Sequence, residues 1–172
     1  MSSFSEESFE KKLADLNNSQ QSIQQLSLWL IHHRKHYQKI VSVWQKELYK
    51  TANSRKLTFL YLANDVVQNS RKKAPEFAKG FGHSLRKVLD HLSALKLDEK
   101  TIKSIGRLLQ IWQERNIFEP EVQKKLTAIW AKKSAEAKST SKDKDDEPGT
   151  PPLPKKARKG ESQGLKNPSL NT

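Results

Sequence analysis

The sequence predicts an all-α domain followed by a disordered tail, and three observations support this prediction. Apolar residues recur at helical spacing in successive segments, and strand patterns are almost absent. The aromatic residues (six Phe, four Trp and three Tyr) all lie at or before Trp130, whereas most of the seven prolines follow residue 147. We therefore expect a folded domain over residues 1–133 and a Pro- and Lys-rich disordered tail over residues 134–172.

The first four helices are expected from apolar periodicity and from residues that favour helix ends. A helix is expected near residues 5–16, and a capping pattern at residues 18–21 begins the second. Tyr37–Lys50 carries the apolar set of a third helix, and Asn53 is expected to cap a fourth helix over residues 55–71.

The remaining helices are expected from prolines and from a further apolar stripe. Pro75 and Pro120 each precede a glutamate and a periodic segment, as a proline at the first helical position does. A helix is also expected over Asp98–Arg115. Seven or eight helices joined by short connections fit a small right-handed array of stacked antiparallel helices.

Composition excludes several classes of protein. The chain has no cysteine, which excludes a disulfide scaffold, a thiolate metal site and a cysteine nucleophile. No apolar run approaches ~18 residues, so a membrane span is not expected. The acidic N-terminal segment lacks the apolar core of a secretory signal. A cytoplasmic or nuclear protein is therefore expected.

Patterns typical of catalysis are missing from the sequence. It contains no Gly-rich phosphate loop, nucleophile elbow or His-Glu-x-x-His pair, so we predict no catalytic residue and no cofactor. His32 and His36 have the spacing of two metal ligands on one helix face. However, the basic segment around them is typical of a helix end, where cations complement the helix dipole. We favour the helix end and predict no metal site.

Three polar residues converge on the expected fourth helix. Tyr61, Asn64 and Asp65 are spaced i, i+3 and i+4, so their side chains share one patch. The helix is apolar on nearly all sides, which is typical of a buried helix, and burying an unpaired carboxylate is costly. The patch is therefore either paired internally or the floor of an open groove, and spacing alone favours neither.

Two arginines lie two turns apart on the expected helix over Asp98–Arg115. Arg107 and Arg115 are separated by about 12 Å of helix rise. A guanidinium group suits a phosphate because it can donate two parallel hydrogen bonds and keeps its charge. The alternative is that Arg115 only ends the helix and pairs with Glu114 or Glu119.

Three separated segments resemble one known family. The segments are Leu28–His36, Arg55–Val66 and Arg107–Arg115. They resemble the CTD-interacting domain (CID) of the "regulation of nuclear pre-mRNA domain-containing" proteins. The likeness covers about residues 2–131. The resemblance implies a right-handed superhelix of about eight helices, similar to VHS and ENTH domains. It also implies a non-enzymatic nuclear module that binds the heptad-repeat C-terminal domain of RNA polymerase II and regulates transcription and pre-mRNA processing.

The resemblance assigns peptide contacts to four residues of the fourth helix. Asp65 is expected to accept a hydrogen bond from the heptad tyrosine. Tyr61 and Asn64 are expected to line the groove that holds the Ser-Pro turn, and Asn69 to contact the peptide backbone.

The resemblance also assigns a phosphate contact and a groove rim. Arg107 is expected to face the phosphate on the first serine of the heptad, with Arg115 reinforcing it. Asn18 and Gln20 occupy positions where the rim of the groove contributes. Relatives continue into a coiled-coil dimerisation region, and no sustained heptads of that kind occur before Thr172. Dimerisation through that element, and whether the sequence is a shortened form, therefore stay open.

The tail contains a compact basic cluster after a proline-rich segment. The cluster is typical of sequences that nuclear import factors bind, and it consists of Lys155, Lys156, Arg158 and Lys159. The alternative is a solvated charge run. We favour nuclear import.

The same sequence is compatible with two other functions. The net charge of +13 and pI near 9.9 would attract RNA non-specifically, so a basic nucleic-acid-binding helical domain is the second hypothesis. Against it, the basic residues are scattered and the aromatic residues follow the core periodicity, which leaves no obvious stacking platform. An endocytic adaptor of similar architecture would need a lipid or sorting-motif site, and none is identifiable.

Overall fold

The computed structural model describes residues 3–140. Over that range the chain forms seven α-helices, one 3-10 helix and no strand. The helices are α1 (Glu6–Asp15), α2 (Gln20–His32), α3 (Tyr37–Lys50), α4 (Asn53–Asn69), α5 (Glu76–Ser93), α6 (Glu99–Glu114) and α7 (Pro120–Thr140), with the 3-10 helix at Arg34–His36. The predicted all-α fold is confirmed.

The last helix crosses the boundary that the sequence predicts between domain and tail. α7 continues past residue 133 to Thr140. Lys133 Nζ donates to the Leu95 carbonyl at 2.8 Å, and Ala137 packs against the core. The predicted tail beyond residue 140, with its basic cluster, lies outside the described residues.

The helix ends follow the expected chemistry at most positions and differ at two, of which one is Pro75, the N-cap of α5 rather than its first residue. Ser5, Ser19 and Asp98 are N-caps whose side chains accept from a backbone N–H three residues later. Asn53, expected as a cap, is instead the first residue of α4. The cap is Ala52, because its extended backbone turns the chain into the helix and its carbonyl already accepts from Arg55.

Helix α4 lies at the centre of the domain and packs against α2, α3, α5 and α6. Its residues from Thr58 to Val67 are all buried. Around it, three buried tryptophans each pair their indole N–H with an acceptor. Trp44 donates to the Phe59 carbonyl at 2.9 Å and Trp130 to the Ile102 carbonyl at 3.0 Å, while Trp112 donates to α4. Pairing these donors removes the cost of burying them.

Two cations at the start of α4 satisfy the carbonyls at the ends of two other helices. The Arg55 guanidinium donates to the carbonyls of Leu13, at 3.1 Å, and of Leu16. Lys56 Nζ donates to the carbonyls of Leu48 and Tyr49, at 2.5 and 3.1 Å. Burial lowers the pKa of Lys56 below its ordinary value. The last carbonyls of a helix have no partner within it and carry its negative dipole end, so these cations lock α1 and α3 onto α4.

Replacing Arg55 with alanine should destabilise the domain measurably. The change removes a charged donor from the carbonyls of Leu13 and Leu16 at the end of α1. Hydrogen bonds to charged groups contribute about 1.5–3 kcal/mol, so the free energy of unfolding should fall by that amount. Urea denaturation followed by circular dichroism measures the change.

Lys46→Ala is the matched control for that measurement. Lys46 also ties α1 to another helix, through an exposed ion pair with Glu10 at 3.1 Å. Exposed ion pairs contribute little, so this variant should be nearly as stable as the unmodified protein. Equal losses in the two variants would show that the Arg55 contacts have no special role.

Candidate functional site

Two polar contacts join α4 to α6 at successive positions along the two helices. Asn64 Oδ1 accepts from Trp112 Nε1 at 2.8 Å, and Gln68 Oε1 accepts from Arg115 Nη1 at 2.5 Å. Gln68 Nε2 also donates to Asn64 Oδ1 at 2.6 Å, which links the two contacts into one chain. Residue numbers rise together along both helices, so α4 and α6 run in the same direction.

These contacts belong to a polar strip that we call the α4–α6 strip. On α4 it contains the predicted site residues and one further residue, and on α6 it contains the two predicted arginines. Its members are Tyr61, Asn64, Asp65, Gln68, Asn69, Arg107 and Arg115. The structure therefore brings together most of the residues that the sequence singles out.

Tyr61 lies at one end of the strip, beside α6. Its side chain is 7% exposed and is hydrogen-bonded to the Ser104 side chain. Burial raises the pKa of Tyr61, while the Ser104 bond and the charge of Arg107 lower it to a smaller extent. The phenol therefore stays protonated at neutral pH. Arg107 itself is exposed, and its charge acts on Tyr61 from the solvent side.

Asp65 is a buried carboxylate held by an exposed amide. The residue is 4% exposed, and its Oδ2 accepts from Asn69 Nδ2 at 3.0 Å. Asn69 is exposed at the end of α4. Internal pairing, one of the two alternatives that spacing left open, therefore describes Asn64 and Asp65 in this structure.

Arg115 ends α6 and reaches across to α4 rather than to a glutamate. It is the C-cap residue of α6, and its guanidinium donates to Gln68. The carbonyls of Arg115 and Asn116 accept from the Arg71 guanidinium at 3.3 and 3.2 Å. Asn116 follows the helix with a φ of 53°, the left-handed conformation that often terminates a helix. Arg71 thus fixes the end of α6 that carries Arg115.

Asn18 and Gln20 lie at the other end of α4. Both are exposed, and they follow Leu16, whose carbonyl accepts from Arg55 near the start of α4. Asp65 is ten residues further along α4, which is about 15 Å of helix rise. The structure therefore does not bring Asn18 and Gln20 to the buried polar residues.

Four residues of the site did not emerge as site residues from the sequence. Gln68 follows Asn64 by four positions, so its place on the same helix face was readable from spacing. Ser104, Trp112 and Arg71 act through contacts between helices, and no local pattern identifies them. Trp112 in particular has the helical spacing of a core residue and is 1% exposed, although its N–H also fixes Asn64.

The histidines suggested as possible metal ligands have a different role. α2 ends at His32, and the His36 ring stacks on Phe4 with centroids 4.8 Å apart, so the helix-end interpretation is confirmed. Within residues 3–140 no group of three or more His, Asp or Glu side chains is placed to hold a metal ion. No helix in that part of the chain is both long and apolar enough to cross a membrane.

Comparison with known proteins decides the family. The family described as the CID domain matches residues 7–126. The chain belongs to the CID family. CID domains are binding modules, and the resemblance found in the sequence is confirmed.

Relatives and a solved structure agree with this assignment. The chain is 51% identical over 148 residues to "Regulation of nuclear pre-mRNA domain-containing protein 1A" of Mus musculus, covering 86% of this chain and 47% of the relative. It is 59% identical over 118 residues to protein 1B of Homo sapiens, covering 69% of this chain and 36% of the relative. The chain thus spans less than half the length of these relatives. The non-canonical CID of Ctk3 matches with a TM-score of 0.67 at 15% identity, over 76% of this chain and 95% of the other, which supports the fold.

Replacing Asn64 with alanine should destabilise the CID domain. The change leaves the buried Trp112 N–H without its acceptor, and an unsatisfied buried group costs about 1–3 kcal/mol. The free energy of unfolding, from urea titration of tryptophan fluorescence, should fall by that amount. Asn53→Ala is the control on the same helix, and it should change stability little because Asn53 is not a cap. A larger loss in Asn53→Ala than in Asn64→Ala would contradict both assignments.

Proposed function

We propose that this CID domain binds the heptad-repeat C-terminal domain of RNA polymerase II, with a phosphorylated serine as part of its ligand. Family membership supports the polymerase tail as the ligand, and two of the relatives are named for regulation of nuclear pre-mRNA. The observation that carries the proposal is the α4–α6 strip, which combines buried hydrogen-bonding groups with an exposed arginine. We infer that the protein acts in transcription and pre-mRNA processing.

The length of α4 suits one heptad. From Arg55, which donates to the Leu16 carbonyl shortly before Asn18 and Gln20 in the chain, to Gln68, which accepts from Arg115, α4 rises about 20 Å. An extended chain advances about 3.3 Å per residue, so seven residues span roughly 23 Å at most. A heptad lying along α4 would therefore reach from the α4–α6 strip to the start of α4.

Asp65 is the proposed anchor for the heptad tyrosine. A carboxylate accepts stronger hydrogen bonds than a neutral group, and burial next to apolar side chains strengthens the interaction. The amide of Asn69 now holds Asp65 from the exposed side, where a tyrosine hydroxyl would arrive. In the proposed complex the hydroxyl donates to Asp65, and the Asn69 amide turns to the peptide backbone. Tyr61 and Asn64 would line the adjoining wall.

Arg107 is the proposed phosphate contact. It is exposed and makes no ion pair with a carboxylate in residues 3–140, so little would be lost when it turns to a ligand. Arg115 is half-buried and donates to Gln68, so it would have to exchange that bond before contacting a phosphate. We therefore assign the main phosphate contact to Arg107 and a secondary one to Arg115.

Arg107→Ala should weaken binding of a phosphorylated heptad peptide selectively. Loss of a charge-assisted hydrogen bond of about 1.5–3 kcal/mol corresponds to a decrease in affinity of roughly 10- to 150-fold. The unphosphorylated peptide should be affected much less. Isothermal titration calorimetry with both peptides measures the difference, and Arg86→Ala, an exposed arginine on α5, is the matched control. If Arg107→Ala lowers both affinities equally, Arg107 is not the phosphate contact.

Asp65→Asn should behave differently in the same titrations. The change keeps the size of the side chain and removes its charge, so the bond to the heptad tyrosine becomes weaker. That tyrosine is present in both peptides, and both affinities should fall by similar factors. Thermal melts must accompany the titrations because Asp65 is buried. If the variant is folded and binds both peptides with unchanged affinity, Asp65 is not part of the binding site.

We further propose that the protein is nuclear and that Lys155, Lys156, Arg158 and Lys159 direct its import. The names of the relatives support a nuclear role. Replacing the four residues with alanine, in a fluorescent fusion too large to diffuse through nuclear pores, should raise the cytoplasmic fraction. The charge-matched control replaces four other basic residues from the C-terminal part of the sequence, which are Lys138, Lys142, Lys144 and Lys166. An unchanged nuclear signal in the first variant would contradict the assignment.

A further inference from the structure

A second groove, which shares no lining residue with the α4–α6 strip, lies between α3 and α5. We call it the α3–α5 groove, and its volume is roughly 740 Å³. Side chains of Tyr37, Gln45 and Tyr49 line it from α3, and those of Lys79, His83 and Lys87 from α5. None of the residues that line it is acidic. The groove is therefore suited to an anionic ligand.

Three residues of α5 form a basic row along the groove. Lys79, His83 and Lys87 follow at intervals of four residues, so they lie on one helix face over about 12 Å. All three are exposed, and neither lysine makes an ion pair with a described carboxylate. Lys46, on the opposite wall, pairs with Glu10 and contributes less charge to the groove. The row therefore presents two lysine charges, about 12 Å apart, that can contact phosphates of a nucleic-acid chain.

Two tyrosines of α3 offer rings to the same groove. Tyr49 is 37% exposed, and Tyr37 is half-buried with its ring edge-on to Phe77. The sequence pattern predicts aromatic residues in the core, and Tyr49 departs from this prediction, whereas Tyr37 still packs against the core. They lie twelve residues apart, about 18 Å along α3. Aromatic rings beside a row of cations are the features that proteins use to bind single-stranded nucleic acid without reading its sequence.

A chain of hydrogen bonds holds one of these rings in place. Ser84 Oγ donates to Gln45 Oε1 at 2.5 Å across the groove, and Gln45 Nε2 donates to the Tyr49 hydroxyl at 3.1 Å. On its other side the Tyr49 ring lies 4.5 Å from the ring of His91. A ring fixed before binding loses less conformational freedom when a base stacks on it.

We propose that the α3–α5 groove binds single-stranded RNA, with Lys79 and Lys87 on the phosphates and Tyr49 stacking against a base. A duplex would keep its bases paired inside and leave the tyrosines unused. An acidic protein segment would use the lysines but has no planar groups for the two rings. Binding at this groove is independent of the heptad peptide, because the strip and the groove lie on different helices.

The test compares variants of the full chain for binding of a fluorescently labelled oligouridine by anisotropy. All variants carry alanine at Lys155, Lys156, Arg158 and Lys159, so that the basic cluster of the tail does not bind the probe. Lys79→Gln/Lys87→Gln is the groove variant. Lys96→Gln/Lys100→Gln, at exposed positions outside the groove, is the control with the same net charge. Thermal melts confirm that each variant is folded.

Three results are expected. For a single strand each phosphate contact contributes about 0.7 to the slope of log affinity against log salt concentration, so the groove variant should reduce the slope by about 1.4 and the control should not. Tyr49→Ala should weaken binding by roughly 5- to 150-fold, whereas Tyr49→Phe should retain it. Saturating heptad peptide should not displace the RNA.

Three results would overturn the proposal. Equal effects of the groove and control variants would show that only net charge matters. Unchanged RNA affinity of Tyr49→Ala would show that Tyr49 does not stack on a base, and this contact is the reason for proposing RNA as the ligand. Competition by polyglutamate as strong as that by unlabelled oligouridine would show that the groove is a site for acidic protein segments.

Discussion

The architecture of this CID domain depends on a central helix that is buried while carrying polar side chains. α4 packs against four other helices, and its residues from Thr58 to Val67 are all buried. A buried polar group is costly unless it is hydrogen-bonded, so each buried polar side chain of α4 requires a hydrogen-bond partner. Arg55 and Lys56 meet this requirement at the ends of α1 and α3, and Asn64 and Gln68 meet it at α6. The polar groups thereby fix the order in which the helices pack.

The same requirement explains how the proposed binding surface is formed. Hydrogen bonds that position α6 also place Arg107 and Arg115 beside the polar face of α4. Arg71 holds the end of α6, so that Arg115 is presented at a defined place. A peptide arriving at this surface meets hydrogen-bonding groups that are already oriented, which reduces the cost of binding. In the proposed complex, fold stability and recognition of the heptad therefore rest on the same side chains.

Much of this arrangement could be predicted from the sequence. Tyr37–Lys50 was expected as a helix with the bounds that it has, because its apolar periodicity and flanking residues agree. The helix bounds expected elsewhere differ by one or two residues, as with Asn53, because a cap depends on the backbone of the preceding residue. The spacing of Tyr61, Asn64 and Asp65 placed them on one patch but could not decide between pairing and an open groove. Whether the patch is paired or open depends on a contact with Trp112, which lies 48 positions from Asn64 in the chain. No local sequence pattern shows such a contact. The exposure of Tyr49 depended in the same way on how α3 and α5 pack.

The central claim is that a phosphorylated heptad peptide binds along the hydrogen-bonded face of α4 and α6. The most direct measurement is a titration of the isotope-labelled protein with a phosphorylated two-repeat heptad peptide, followed by nuclear magnetic resonance. The buried tryptophans provide internal reporters, since the Trp112 indole N–H bonds to Asn64 whereas those of Trp44 and Trp130 bond to backbone carbonyls in the core. The account predicts that the signals of the Trp112 indole and of the Asn64, Gln68 and Asn69 amides shift, and that those of the Trp44 and Trp130 indoles do not. Shifts confined to Tyr49, Lys79 and Lys87, with the Trp112 indole unchanged, would contradict it.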